Sequence, residues 1–173
     1  MMKKILVLVC LLLLSTTALS QTRSRTTRRG TPSAKTAAPQ ANAEAKTAGA
    51  TKVADQIKNL TRFVYLLGGV AKGIEQVDDA AKKNEASPTA LQQNEQNKAT
   101  VKTSLENVRL GLDQLEIYFR STPELQGYYT KLVGSASGAA SAEEQAAAGH
   151  FDQSGRTLLG VVSRLTDVLL VMR

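Results

Sequence analysis

The feature that most limits what this chain can fold into is a four-three spacing of apolar residues, sustained from Val53 almost to the last residue. Val53, Ile57, Leu60, Val64, Leu67, Ala71, Ile74 and Ala81 keep this step, with Asp78 interrupting it before Ala81. Residues at such a step fall on one face of an α-helix, whereas the two-residue period of a strand would scatter them. The step returns in Val101, Leu105, Val108, Leu112, Leu115 and Phe119, and again in Leu125, Tyr129, Leu132, Ala136, Ala139 and Ala146. A last stripe holds Leu158, Val162, Leu165, Leu169 and Met172. Leu159, Val161, Val168, Leu170 and Val171 widen it, so the last helix is expected to be the most enclosed.

Stop and start signals fall between the stripes. Ser87 before Pro88 is a capping residue followed by a residue suited to the first helical position, and Thr122-Pro123 repeats the signal. Gly149 suits a left-handed helix end, and Asp152 can cap the helix that follows. The expected fold is all-α: an antiparallel up-down-up-down four-helix bundle with helices near 53–84, 88–121, 123–148 and 152–173. The first turns of the second helix, Gln92 to Lys98, are polar and should project beyond the core. Gly134-Ser-Ala-Ser-Gly138 is a place where the third helix can break, with Ser141-Ala-Glu-Glu144 as a restart, and Gly68-Gly69 raises a smaller doubt about the first. Gly69-x-x-x-Gly73 and Gly134-x-x-x-Gly138 are read as points of close helix packing inside the bundle.

The first 52 residues lack this periodicity. Met1-Met2-Lys3-Lys4, the apolar run Ile5–Leu14 and the small-x-small triplet Ala18-Leu19-Ser20 form a cleavable signal peptide, with cleavage expected before Gln21. The run is too short for a membrane span, which needs ~20 residues. Cys10 lies inside it rather than at the cleavage point, which argues against a lipoprotein, and the basic start points to the bacterial periplasm or the exterior. Cleavage removes the single cysteine and with it all thiol chemistry.

The net charge of +7 is unevenly placed. Residues 21–52 hold Arg23, Arg25, Arg28, Arg29, Lys35, Lys46 and Lys52 against Glu44 alone, while residues 53–173 are one charge short of neutral. With no large apolar residue, 21–52 is read as a disordered basic tether. Arg23, Arg25, Arg28 and Arg29 are candidate contacts to anionic envelope polymers, weak and screened by salt, although a solvated spacer is the preferred reading. No aromatic is interleaved with these bases, and a near-neutral folded part does not suit specific nucleic-acid binding.

Ala147-Ala-Gly-His-Phe-Asp-Gln-Ser154 resembles the turn between paired helices of tetratricopeptide repeats, a likeness that implies a helical hairpin and nothing more, since no 34-residue period recurs. Catalytic and cofactor classes find little to use. His150 and Met172 lie 22 residues apart on one helix, ~33 Å by helical rise, and cannot bracket one haem iron. A single histidine does not supply a di-iron or zinc site, and Gly68-Gly-Val-Ala-Lys72-Gly73 lacks the spacing of a phosphate loop. Asp78-Asp79 and Glu143-Glu144 are expected at solvated surface. Tyr118, Phe119, Tyr128 and Tyr129 gather at the turn between the second and third helices, and Tyr118, Tyr128 and Tyr129 are the candidate partner patch, with plugging of the core end as the plainer reading.

The expectation is a non-catalytic exported interaction module with no cofactor and no metal. Its partner would be an unidentified protein or a second copy. The alternative is a small-ligand carrier using the bundle interior.

Overall fold

The computed structural model describes residues 34–173, with side chains from Gln40 onward. Helix α1 spans Ala34–Lys82 and α2 spans Pro88–Ser121. A 3-10 turn at Pro123–Leu125 leads into α3, Gln126–Leu132, followed by α4, Ser135–Ala147, and α5, Phe151–Val171. No strand occurs among the described residues. The helices α3 and α4 together form the third arm of a four-helix bundle.

Contacts along the helices give the topology. Asp78 bonds to Asn94 and Lys98, and an added Cβ on Gly111 would meet Gln56, so α2 runs back along α1. Glu116 reaches Ala136 and Arg109 reaches Glu143, which sets the third arm antiparallel to α2. Gly138 faces Val161 and Gln145 bonds Thr157, which reverses the chain once more. Lys46 at the start of α1 donates to the Arg173 carbonyl at 3.2 Å, so the last helix returns beside the first. The up-down-up-down expectation matches this order.

The four-three stripes supply the core. Leu60 and Ile74 of α1, Leu105 and Phe119 of α2, Leu132 of α3 and Leu165 of α5 have no solvent exposure. The third arm contributes Ala136, Ala139, Ala142 and Ala146, and these small side chains let α4 sit close to its neighbours.

The helix ends follow local chemistry. The Ser87 side chain accepts from the Ala90 amide at 3.2 Å with Pro88 in the first turn. Gly149, at φ 81°, closes α4 in the left-handed conformation anticipated for it. The third arm breaks at Val133–Gly134, where Gly134 adopts φ 89°. The groups freed by the break find partners. Arg164 Nη1 donates to the Val133 carbonyl at 2.9 Å, Ser135 Oγ to the Leu132 carbonyl at 2.7 Å, and Glu116 Oε1 accepts from the Ala136 amide at 2.9 Å.

Four expectations are corrected. The sequence places a tether through Lys52, yet α1 begins at Ala34. That stretch is rich in alanine, the strongest helix former, and Gly49 is buried because a Cβ there would lie 2.9 Å from Leu125 Cδ1 and 3.0 Å from Met172 Cε. The last helix is less enclosed than expected: Val161 and Val168 are buried, but Leu159, Leu170 and Val171 are exposed. Their positions lie beyond the roughly 100° arc that one helix can bury against its neighbours. Asp152 sits inside the first turn of α5 rather than capping it, because the helix starts at Phe151. The restart at Ser141 is not used, since the break falls earlier and Ser141 lies within α4 with its hydroxyl on the Ser137 carbonyl. Helix α1 passes through Gly68-Gly69 without interruption.

Candidate interaction surface

Turning the α1 stripe inward leaves an opposite face that its own bundle does not cover. Residues at about 100° per position place Tyr65, Leu66, Gly69, Val70 and Gly73 on that outer face. Tyr65 is 83% exposed and Leu66 53%, values that stand out in a helix whose inner stripe is shut from solvent. Val70 is exposed as well. Cβ atoms added at Gly68, Gly69 or Gly73 would meet nothing within 4 Å. The expectation that Gly69 and Gly73 pack closely inside the bundle is therefore corrected, because they lie on the face turned away from it. Gly134 and Gly138 do pack: a Cβ at Gly138 would stand 2.7 Å from Val161 Cγ2, and one at Gly134 2.5 Å from Arg164 Nη1.

The tyrosines singled out from the sequence occupy a different place. Tyr118, Tyr128 and Tyr129 are half-buried and pack against the core at the end where Leu125 and Phe119 lie. The Tyr118 ring meets Phe119 edge-on at 6.1 Å, and Lys52 Nζ lies 5.0 Å from its centroid, within cation–π range. Tyr65 lies outside that expected patch, although its sequence position carries a signal. It falls one residue off the four-three stripe, where a bundle has no use for a large apolar side chain.

At the opposite end, Asp78 ties the α1–α2 hairpin together. Its Oδ1 accepts from Asn94 Nδ2 at 2.7 Å and from Lys98 Nζ at 2.8 Å, and Lys98 also meets Glu95 at 3.1 Å. The hydrogen bond that Lys98 donates to Asp78 raises the Lys98 pKa above the usual lysine value, against a smaller opposing effect of burial. Asp79 and Lys82 form an exposed pair, with the bond lowering the carboxyl and raising the amine. Solvated surface thus describes Asp79 and Glu144. It does not describe Asp78, or Glu143, which accepts from Arg109 Nε at 3.1 Å, because each is half-buried and bonded across a helix interface. The polar start of α2 likewise buries Asn94 rather than projecting it into water.

A hollow of about 550 Å³ lies on the surface beside this network, lined by Lys98, Lys102, Glu95, Ala147, Gly149 and Phe151. A shallower groove of about 310 Å³ runs between Val64 and Gly68 of α1 and Gly155 and Leu159 of α5. His150 is exposed before α5, and Met172 is buried beyond its far end. Arg23, Arg25, Arg28, Arg29 and Cys10 lie outside the described residues. Among the described residues, no group of three His, Cys, Asp or Glu side chains is placed to hold a metal ion, and no helix is long and apolar enough to cross a membrane.

No family model, no curated protein and no solved structure matches this chain.

Proposed function

We propose that the chain is an exported, non-catalytic interaction module that presents the outer face of α1 to a macromolecular partner. The observation that carries this reading is the exposed set Tyr65, Leu66 and Val70 on a helix whose inner stripe is already satisfied by the core. Exposed apolar side chains clustered on one helix face mark a surface that gains by being covered. The export half rests on the sequence of residues 1–20, with the periplasm or the exterior as destination and Gln21 as the first residue after cleavage. The arginines of residues 23–29 add a salt-sensitive attraction to anionic envelope polymers.

Cross-linking and capture in the native host, with wild type beside Tyr65→Glu, tests the face. The reading expects cross-linked species that the substitution removes while the thermal transition is unchanged, and it fails if both chains give the same species. Sequencing the N-terminus of the exported chain tests the signal, and a first residue far from Gln21 overturns that part.

The carrier reading draws on the hollow beside Lys98 and Lys102, where two ammonium groups, the carboxylates of Asp78 and Glu95 and the start of α5 line one depression. It expects extra mass on the natively purified chain. It has less support than the interaction reading because the hollow lies beside the apolar core rather than within it.

A further inference from the structure

We infer that the partner of the α1 outer face is a second copy of this chain, docked antiparallel with its two-fold axis at Gly69. The inference rests on the interaction reading above and names its partner.

The face is self-complementary in shape. Four positions, Gly69, Lys72, Gly73 and Gln76, bound a hole on the helix surface in the i, i+3, i+4, i+7 pattern that receives a knob from a facing helix. Two of the four are glycines with open space above them, so this hole is deep. The knob is Tyr65, 83% exposed. Tyr65 stands four residues before Gly69, ~6 Å along the axis, and the hole is centred nearly the same distance after it. Two copies related by a two-fold axis at Gly69 therefore place Tyr65 of each into the hole of the other.

Gly69 meets Gly69 at the crossing, where the lack of side chains permits close approach of the helices. Leu66 of each copy falls opposite Lys72 of the second, whose methylene stem can cover it while the ammonium stays in water.

Charge selects the antiparallel direction. Lys58 and Asp79 lie at nearly equal distances on either side of Gly69, as do Asp55 and Lys83. An antiparallel pair brings Lys58 towards Asp79 of the second copy and Asp55 towards Lys83. A parallel pair in register sets Lys58 on Lys58 and Arg62 on Arg62 instead. In the isolated chain Lys58 and Asp79 bond within their own helix, to Asp55 and Lys82, and exposed i,i+3 pairs of this kind exchange at little cost.

The glycines give a second argument. Each mid-helix glycine destabilises its helix by roughly 0.5–1 kcal/mol relative to alanine. Gly69 and Gly73 have no contact within their own bundle that excludes a methyl group. A second helix lying across them does exclude one.

The test uses the full chain carrying Cys10→Ser, Arg62→Cys and Gln76→Cys, oxidised at concentrations from roughly 10 µM to 1 mM, the range suited to a small interface. Arg62 and Gln76 are exposed positions seven residues on either side of Gly69 that face each other across the two-fold, and both glycines stay in place. A disulfide-linked dimer should form in proportion to concentration. It should fall by at least ~10-fold when Tyr65→Glu is added, the loss that a 1.4 kcal/mol weakening produces. Ser163→Cys, on the exposed surface of α5, should give no more than background linkage. Sedimentation of the otherwise unaltered chain supplies a reading free of introduced thiols, with Gly73→Leu, which fills the hole, expected to hold the chain monomeric.

A chain that stays monomeric across the range, or a dimer indifferent to both Tyr65→Glu and Gly73→Leu, overturns the self-docking inference. If the chain is monomeric yet Tyr65→Glu still removes a cross-linked species in the native host, the interaction reading stands and only its second-copy partner is lost. If neither experiment responds to Tyr65→Glu, both fall.

Discussion

The chain uses one spacing twice, with opposite outcomes. Gly134 and Gly138 are four apart and packed against α5, while Gly69 and Gly73 are four apart and open to solvent. At the first pair the missing side chains are filled by Arg164 and Val161 of α5. At the second nothing of the described chain comes near. A small-x-x-x-small pattern therefore locates a surface that permits close approach, and the neighbouring residues decide whether the bundle itself makes that approach. Around Gly138 the neighbours are the alanines of the core stripe. Around Gly69 they are Tyr65, Leu66 and Val70, which face the other way.

Substitution at each pair should separate the two cases. Gly138→Leu is expected to show the largest effect, a loss of about 3 kcal/mol or more in urea unfolding, because its Cβ alone would stand 2.7 Å from the buried Val161. A neutral result there would erase the contrast. Gly134→Ala should cost about 1–2 kcal/mol from the left-handed backbone alone. Its φ of 89° is the origin of that cost. Loss of the Arg164 bond to the Val133 carbonyl would add to it.

Gly69→Ala and Gly73→Ala should act in the opposite direction. In dilute solution each is expected to raise stability by about 0.5–1 kcal/mol, since the helix gains an alanine and nothing is displaced. Destabilisation of the dilute chain by either would mean that the α1 face is already in contact with something.

The smallest effect concerns the hairpin end. Lys98 has a raised pKa in the fold, so the stability it contributes is fully present below the ordinary lysine value near 10.5 and is lost as pH rises through the folded value. Both partners are about one-third exposed, and solvent screening keeps the loss small. Unfolding midpoints measured across this alkaline range should drop slightly more for wild type than for Asp78→Asn, and identical profiles would remove Lys98 from the account.

Much of the fold was legible because burial and helical period coincide. All four stripes are on the core side, and the caps at Ser87 and Gly149 act through short-range backbone chemistry that three or four residues suffice to define. The errors have a common origin in counting apolar residues. Residues 34–52 hold no large one, yet alanine forms helix by its small entropy loss, and Gly49 packs by having no side chain at all. Leu159 and Leu170 are apolar, yet an arc has a finite width and they fall outside it.

Aromatics that cluster in the sequence point to a tyrosine patch at the turn between the second and third helices. The exposed aromatic is instead Tyr65, and its sequence neighbours, Phe63 among them, do not tell which way a helical residue faces. Asp78, which interrupts its stripe, was the sign of the polar link to Asn94 and Lys98. Recognising it required knowing which α2 residues would lie opposite.

The early start of α1 also changes what the N-terminal part of this chain does mechanically. A flexible coil over residues 34–48 would span about 20 Å between its ends, in any direction, by the square-root law for soft linkers. The same residues as helix span a similar ~22 Å. Reach is nearly unchanged, but heading is not. A coil passes on tension and forgets angle. A helix continuous with the bundle, pinned where Gly49 meets Leu125 and where Lys46 meets the Arg173 carbonyl, passes on torque as well. Whatever grips Ala34 sets which way Tyr65 looks, so the chain behaves there as a lever rather than a cord.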